Sequence, residues 1–151
     1  MKFTAVIATA LFGAAAIAAP SSWNDVGYST EDVTVTDVKI NISADYKVTD
    51  VSLKLSGSEA KNLACSAKNP QLSVQSADAV RCGDSRYLFN LIDSGLSSFD
   101  IAVMHEYDIQ GSGEYSPGQW GEGHLNLNCK SNGSGRVCTS SGASSLFLTG
   151  Q

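Results

Sequence analysis

Phe99-Asp100-Ile101-Ala102-Val103-Met104-His105-Glu106-Tyr107-Asp108-Ile109 is the stretch that decides the fold. Phe99, Ile101, Val103, His105, Tyr107 and Ile109 fall on one side of a period-two alternation, with Asp100, Ala102, Met104, Glu106 and Asp108 on the other. Side chains change sides at every residue only in extended backbone, so this is a strand with one face toward a core. The same period runs upstream through Val38, Ile40, Ile42, Ala44, Tyr46 and Val48, which read as one apolar face of a long strand. Val33 and Val35 have the opposite parity, which predicts a bulge or break between Val35 and Val38. Thr49-Asp50 reads as a turn into Val51, Leu53 and Leu55, and Gly57 ends that hairpin. Leu63 with Cys65, Leu72 with Val74, and Tyr87 with Phe89 and Leu91 give shorter strands. Downstream, Gly111-Ser112-Gly113 and Pro117-Gly118 read as breaks. The stretch from His124 to Cys129 reads as a strand that carries Cys129 inward, and Ser131 to Ser145 as a loop interrupted by Arg136-Val137-Cys138. Leu146-Phe147-Leu148 supplies the last strand. Beyond the N-terminal leader no helical spacing persists over three turns. The expected class is all-β, a small antiparallel β-barrel or sandwich.

The N-terminus is a different kind of sequence. Met1-Lys2-Phe3, an Ala-rich apolar run to Ile17 and the small residues before Pro20 form a secretory signal, with cleavage expected after Ala18. That run is too short to span a membrane. Residues 19–151 are then a single domain, exported and extracellular. The chain carries ten Lys+Arg against fifteen Asp+Glu, a net charge of −5, and losing Lys2 with the leader deepens it by one. Without a basic cluster there is nothing to neutralise phosphates, which argues against a nucleic-acid partner. No second apolar stretch argues for a membrane.

The four cysteines, Cys65, Cys82, Cys129 and Cys138, all follow the leader, an even number in a chain bound for an oxidising compartment. Three pairings are open. The local one, Cys65 with Cys82 and Cys129 with Cys138, is the expected staple of the barrel, each short loop contributing on the order of 3 kcal/mol in the chain-entropy picture. With no C-x-x-C, and with His105 and His124 at no ligand spacing to a cysteine pair, no metal is expected.

Catalytic residues are scarce. His105 shares its strand face with Ile101 and Val103 and reads as a hydrogen-bonded core histidine; His124, beside Asn126 and Asn128, reads as exposed. Glu106 and Asp108 stand about 7 Å apart on one strand face, a separation glycosidase carboxylates can have, but on an outer strand face they read as solvated charges. No catalytic residue, enzyme activity or cofactor is expected. Aromatic rings offer another kind of function. Trp23 lies near the mature N-terminus, and Tyr115 and Trp120 lie in the Gly- and Pro-broken segment 111–123. Trp120 either plugs one end of the barrel or, with Tyr115, presents a ring to a flat ligand. Two N-x-S acceptors, Asn41-Ile42-Ser43 and Asn132-Gly133-Ser134, make Asn41 and Asn132 candidate glycan sites.

Leu63-Ala64-Cys65-Ser66-Ala67, Cys82-Gly83-Asp84-Ser85-Arg86-Tyr87-Leu88-Phe89, the strand from Phe99 to Tyr107 and the late Cys129…Cys138 pair together resemble the Alternaria major-allergen (Alt a 1-like) family of small secreted fungal proteins, over roughly residues 33–151. The resemblance implies one β-barrel with two intrachain disulfides, fungal origin and secretion into the host or wall space. It implies an allergen-like effector or elicitor of plant defence that binds a host extracellular protein or a small aromatic ligand such as a flavonoid, with no secure enzymatic activity. The family's cysteine near the mature N-terminus, which would join two subunits, has no counterpart between Pro20 and Ala64, so a monomer or non-covalent dimer is expected. The function expected from these readings is non-enzymatic binding of host components, with a small-molecule or cell-wall glycan binding module as the alternative.

Overall fold

The bulge required by the parity change is present in β1 (Thr30–Ser43): its register with β2 (Val48–Ser56) slips between Thr36 and Lys39, and Asp37 stands at φ 52°. The slip returns Val38, Ile40 and Ile42 to the face already occupied by Val33 and Val35, and all five are buried. A computed structural model describes residues 30–95, 98–108 and 115–150. The leader, Trp23, Ile109 and the Gly111-Ser112-Gly113 break lie outside the described residues.

The remaining strands are β3 (Leu63–Lys68), β4 (Val80–Arg81), β5 (Tyr87–Gly95), β6 (Ser98–Asp108), β7 (Tyr115–Leu125), β8 (Leu127–Ser131), β9 (Gly135–Ser140) and β10 (Ser144–Gly150). They form one antiparallel sheet in the order β3-β2-β1-β10-β7-β6-β5-β4, curled into a nearly closed barrel. β1 is its hub. One edge pairs with β2; the other pairs with β10 up to Val35 and, beyond the bulge, with β9 from Lys39. The inside is filled by Val35, Ile40, Leu55, Tyr87, Phe89, Leu91, Ile101, Leu125 and Leu148, each at most 1% exposed. On β7 the inward positions at Gly121 and Gly123 carry no side chain. A Cβ at Gly121 would lie 2.4 Å from the carbonyl oxygen of Phe147, so only glycine lets β10 cross this closely, with Leu146 and Leu148 filling the space.

Both disulfides form the local pairs. Cys129–Cys138 joins directly opposed residues of the β8–β9 hairpin. Cys65–Cys82, with Cα atoms 4.5 Å apart, does something else: it ties β3 to the chain just past β4, the two ends of the strand order.

Several local expectations are corrected. The first turn falls at Ala44–Tyr46, and Thr49-Asp50 lies inside β2, because the hydroxyl and backbone groups of Ser43 close the loop onto Lys47. Tyr46 is therefore on a turn and 75% exposed, away from the core face. Leu72 and Val74 make no strand; Leu72 forms a single bridge to Leu91, and both side chains are exposed. Pro117-Gly118 does not break the chain. The β6–β7 register slips there, between His105 and Glu106, and the strand absorbs the proline at that irregularity. The Ser- and Gly-rich stretch after Ser131 is not a loop, since Gly135–Ser140 hydrogen-bonds to both β8 and the central β1. Cys129 is exposed, and its partner Cys138 is the buried half of the bridge.

Candidate functional site

One end of the barrel holds the main gathering of ionisable groups among the described residues. Glu31 shares the inward parity of Val33 and Val35, and His105 that of Ile101 and Val103, so the two strands bring an acid and an imidazole face to face inside the barrel. His105 Nδ1 lies 2.6 Å from Glu31 Oε2, and Nε2 lies 3.3 Å from Glu59 Oε2. The Tyr87 hydroxyl donates to Glu31 Oε1 at 2.5 Å, and the Ser58 N–H donates to the same oxygen at 2.6 Å. The Glu59 N–H in turn donates to the Tyr87 oxygen at 3.2 Å. The Tyr87 ring stacks on the imidazole at 4.1 Å between centroids, and the Tyr107 ring is tilted toward the same imidazole at 5.2 Å. Arg86 caps the outer end by bonding Glu59, and Arg81 pairs with Glu106 at 2.6 Å.

Burial acts most strongly on Glu31 and pushes its carboxyl up. The hydrogen bonds from Tyr87, Ser58 and His105 together outweigh burial, so the group stays below the ordinary carboxylate value. Tyr87 is pushed up to about 12, first by burial and then by its bond to Glu31. These groups spend their hydrogen-bonding capacity on one another. The core role expected for His105 is the one it occupies, 1% exposed.

His124 is exposed, as its neighbours implied. Its Nδ1 lies 2.6 Å from Asp100 Oδ1, and Ser94 Oγ donates to Asp100 Oδ2 at 2.5 Å. Serine and histidine thus meet the same carboxylate. In a nucleophilic triad the imidazole stands between hydroxyl and acid; here the acid stands between the other two. The Ser94 bond and then the His124 bond hold Asp100 below its usual range.

Trp120 lies on β7 between inward-facing Gln119 and Gly121, so its ring is on the outer face, half-buried, across from Met104 on β6 and Thr149 on β10. It does not plug the barrel. Trp120→Ala should therefore cost about 1–2 kcal/mol by urea denaturation, well short of the roughly 3–5 kcal/mol of a core tryptophan. Tyr115 opens β7, and its side chain lies outside the described residues. Asn132 is exposed at the β8–β9 tip, whereas Asn41 is half-buried in β1 between its partners on β2 and β9.

A second assembly, which the sequence reading did not single out, lies where the β1–β2 and β8–β9 tips meet. Tyr46 and Arg136, with Ser43, Ala44, Ser131, Gly133 and Gly135, line a groove of about 260 Å³. The Arg136 guanidinium carbon sits 5.6 Å from the Tyr46 ring centroid. Of the described residues, none gather three or more His, Cys, Asp or Glu side chains in a metal-binding cluster, and no helix is long and apolar enough to cross a membrane.

Residues 35–141 match the family described as Alternaria alternata allergen 1. Among curated proteins, the chain is 32% identical over 140 residues to "Effector protein PevD1" of Verticillium dahliae, an alignment covering 89% of this chain and 84% of that protein. The same protein from strain VdLs.17 of that fungus gives the same figures.

Proposed function

The chain belongs to the Alternaria alternata allergen 1 family, and on that premise we propose that it is a secreted fungal effector that acts by binding a host extracellular component and not by catalysis. The observation that carries this reading is the way its reactive side chains are spent. Glu31, His105 and Tyr87 are locked into one another inside the barrel, and Ser94 and His124 are both turned to Asp100. Two disulfides around a barrel of this size suit an oxidising, protease-rich exterior. Asn132, exposed on its tip, is the better placed of the two glycan acceptors.

Infiltration of leaf tissue with the purified protein and its variants tests the reading. Response should survive His124→Ala and Glu106→Gln, and His105→Gln wherever circular dichroism shows the variant folded, because binding depends on surface shape and not on a proton-transfer group. A folded Glu106→Gln protein that binds its host partner normally yet elicits nothing would put a hydrolase in first place. The alternative, a small-ligand or glycan module, is favoured by the Tyr46–Arg136 groove.

A further inference from the structure

Four neighbouring strands put an apolar side chain in line across the outside of the barrel. Leu88 on β5 stands opposite Met104 on β6, and Met104 opposite Trp120 on β7. Trp120 stands opposite Thr149 on β10, which places Phe147, two residues back on the same outer face, on the diagonal from the indole and within reach of it. Parity turns these side chains outward, because Leu88 lies between buried Tyr87 and Phe89, and Phe147 between buried Leu146 and Leu148. At the usual strand spacing the stripe spans about 14 Å. Outward positions of a barrel strand are ordinarily polar, as Ser145 and Thr149 are on β10 itself. Phe147 departs from that pattern: it is 56% exposed, on a strand paired on both sides, so neither core packing nor edge pairing accounts for it. A lone exposed apolar residue is ordinary, whereas a contiguous stripe that ends in an exposed ring marks an interaction surface.

The charges around the stripe select what it meets. β6, β7, β10 and β1 up to its bulge contain no lysine or arginine, while Asp32, Asp100, Glu106 and Glu122 project from their outer faces. Asp100 is engaged by His124 and Ser94, and Glu106 by Arg81. Asp32 and Glu122 are exposed, and among the described residues neither has a hydrogen-bond or ion-pair partner. Asp32 lies directly opposite Phe147 on β1. On the other side the register puts Glu122 level with Phe147, two residues on from the Trp120–Thr149 pair. Two free carboxylates, about 10 Å apart at their backbones, thus bracket the exposed ring. Lys54 of β2, level with Thr36, is already held by Asp37 at 2.8 Å.

A lysine or arginine laid over the Phe147 ring gains cation–π attraction and meets a carboxylate on either side. A second copy of this chain does not suit the face, because an isologous contact would set these acids against one another with no base between them. A neutral sugar stacks on aromatic rings but brings the two carboxylates no counter-charge. We infer that this outer face docks a basic, apolar segment of a partner protein, its aliphatic side chains against Leu88 and Trp120 and a lysine or arginine on Phe147 between Asp32 and Glu122. The inference rests on the reading of the protein as an extracellular binder, and names the surface used and the chemistry of the partner.

Fluorescence anisotropy of labelled probes, titrated with the exported chain near physiological salt, decides it. The probes are a synthetic peptide alternating leucine with arginine, its leucine–glutamate counterpart and a cello-oligosaccharide. Saturable binding of the arginine peptide alone is expected. Phe147→Thr and the double change Asp32→Asn/Glu122→Gln should each weaken it about tenfold. The thermal midpoint of Phe147→Thr should hold, since threonine suits a solvent-facing strand position; if it falls, the carboxylate pair decides. Asp50→Asn/Asp84→Asn removes the same charge on β2 and in the β4–β5 turn and should change affinity less than about twofold. Equal weakening by that control pair would reduce the effect to net charge and overturn the inference, as would absence of saturable binding, equal binding of the glutamate peptide, or full affinity in folded Phe147→Thr. Sugar binding that Phe147→Thr abolishes, with the arginine peptide unbound, would give the face to a glycan instead. A dimer in sedimentation velocity that Phe147→Thr dissolves would give it to a second copy. Leaf infiltration separates the two readings. A response retained in full by folded Phe147→Thr removes the face alone, and peptide binding at the face without any response removes the effector reading alone.

Discussion

Glu31→Ala is expected to destabilise the barrel by about 3–5 kcal/mol, as removal of one partner from a buried hydrogen-bonded pair does elsewhere. The carboxylate accepts from the Tyr87 hydroxyl, the Ser58 N–H and the His105 ring, and alanine leaves the buried Tyr87 hydroxyl and His105 ring without that partner. Glu31→Gln keeps the volume and should cost less, which separates loss of charge from loss of packing. The acid limb of stability carries a second signature. Glu31 titrates below its ordinary 4.5 in the folded chain, so the stability it contributes is present above that value and is lost as pH falls through the lowered folded value. On the alkaline side Tyr87, raised from 10.0 to about 12, contributes stability that is present below 10 and lost as pH rises toward 12. Urea midpoints followed across both limbs should show the acid loss flattened in Glu31→Gln. An unchanged acid limb in that variant would show that other carboxylates govern acid unfolding.

The period-two pattern carried the fold because both ends of it are enforced by burial. The residues from Phe99 to His105 on the inner face of β6 are all buried, and a one-residue slip would turn the charged Asp100 and Glu106 inward in their place. The β1 bulge was legible for the same reason: two apolar sets of opposite parity cannot face one core without an extra residue between them. Where the reading failed, the deciding interaction was either a turn or a non-local pairing. Ala44 and Tyr46 continue the alternation, so nothing in hydrophobicity marks the turn that Ser43 and Lys47 close. The Ser- and Gly-rich stretch around Cys138 has little strand propensity and becomes a strand because β1 offers it an unpaired edge beyond the reach of β10.

The polar network was half legible. His105 stood out as a polar residue on a core face, yet Glu31 carries the same signal, sitting two residues before Val33 on the same parity. Two polar residues on the core faces of two strands invite pairing, and the parity rule applied one step further upstream would have matched them. Glu59 and Ser58 could not be found that way, because the loop after β2 reaches Glu31 only through tertiary folding. The close approach is visible at Gly57, where a Cβ would lie 2.4 Å from Glu31 Oε1. The groove was illegible for a related reason. Tyr46 and Arg136 are ninety residues apart in sequence, and it is the β1–β9 pairing that brings the two hairpin tips together.

The paired substitution Cys65→Ala/Cys82→Ala should cost roughly 2–5 kcal/mol, more than the same change at Cys129 and Cys138. Loop length gives only a small part of that difference. The bridges span 17 and 9 residues of sequence, which differ by about 0.5 kcal/mol in the chain-entropy picture. Position gives the rest. Cys129 and Cys138 lie opposite one another in a hairpin whose ladder already holds them together. Cys65 and Cys82 join β3 to the chain after β4, the two ends of the strand order, where no ladder closes the barrel. Both sulfurs of that seam are buried with the core, so its loss also opens an edge over Leu53 and Leu55 of β2. Native-state hydrogen exchange should then show faster exchange at β3 and β4 while the amides shared by β1 and β10 keep their protection. Equal destabilisation by the two pairs, with exchange raised uniformly, would mean that the seam is closed by core packing and that the disulfide only reinforces it.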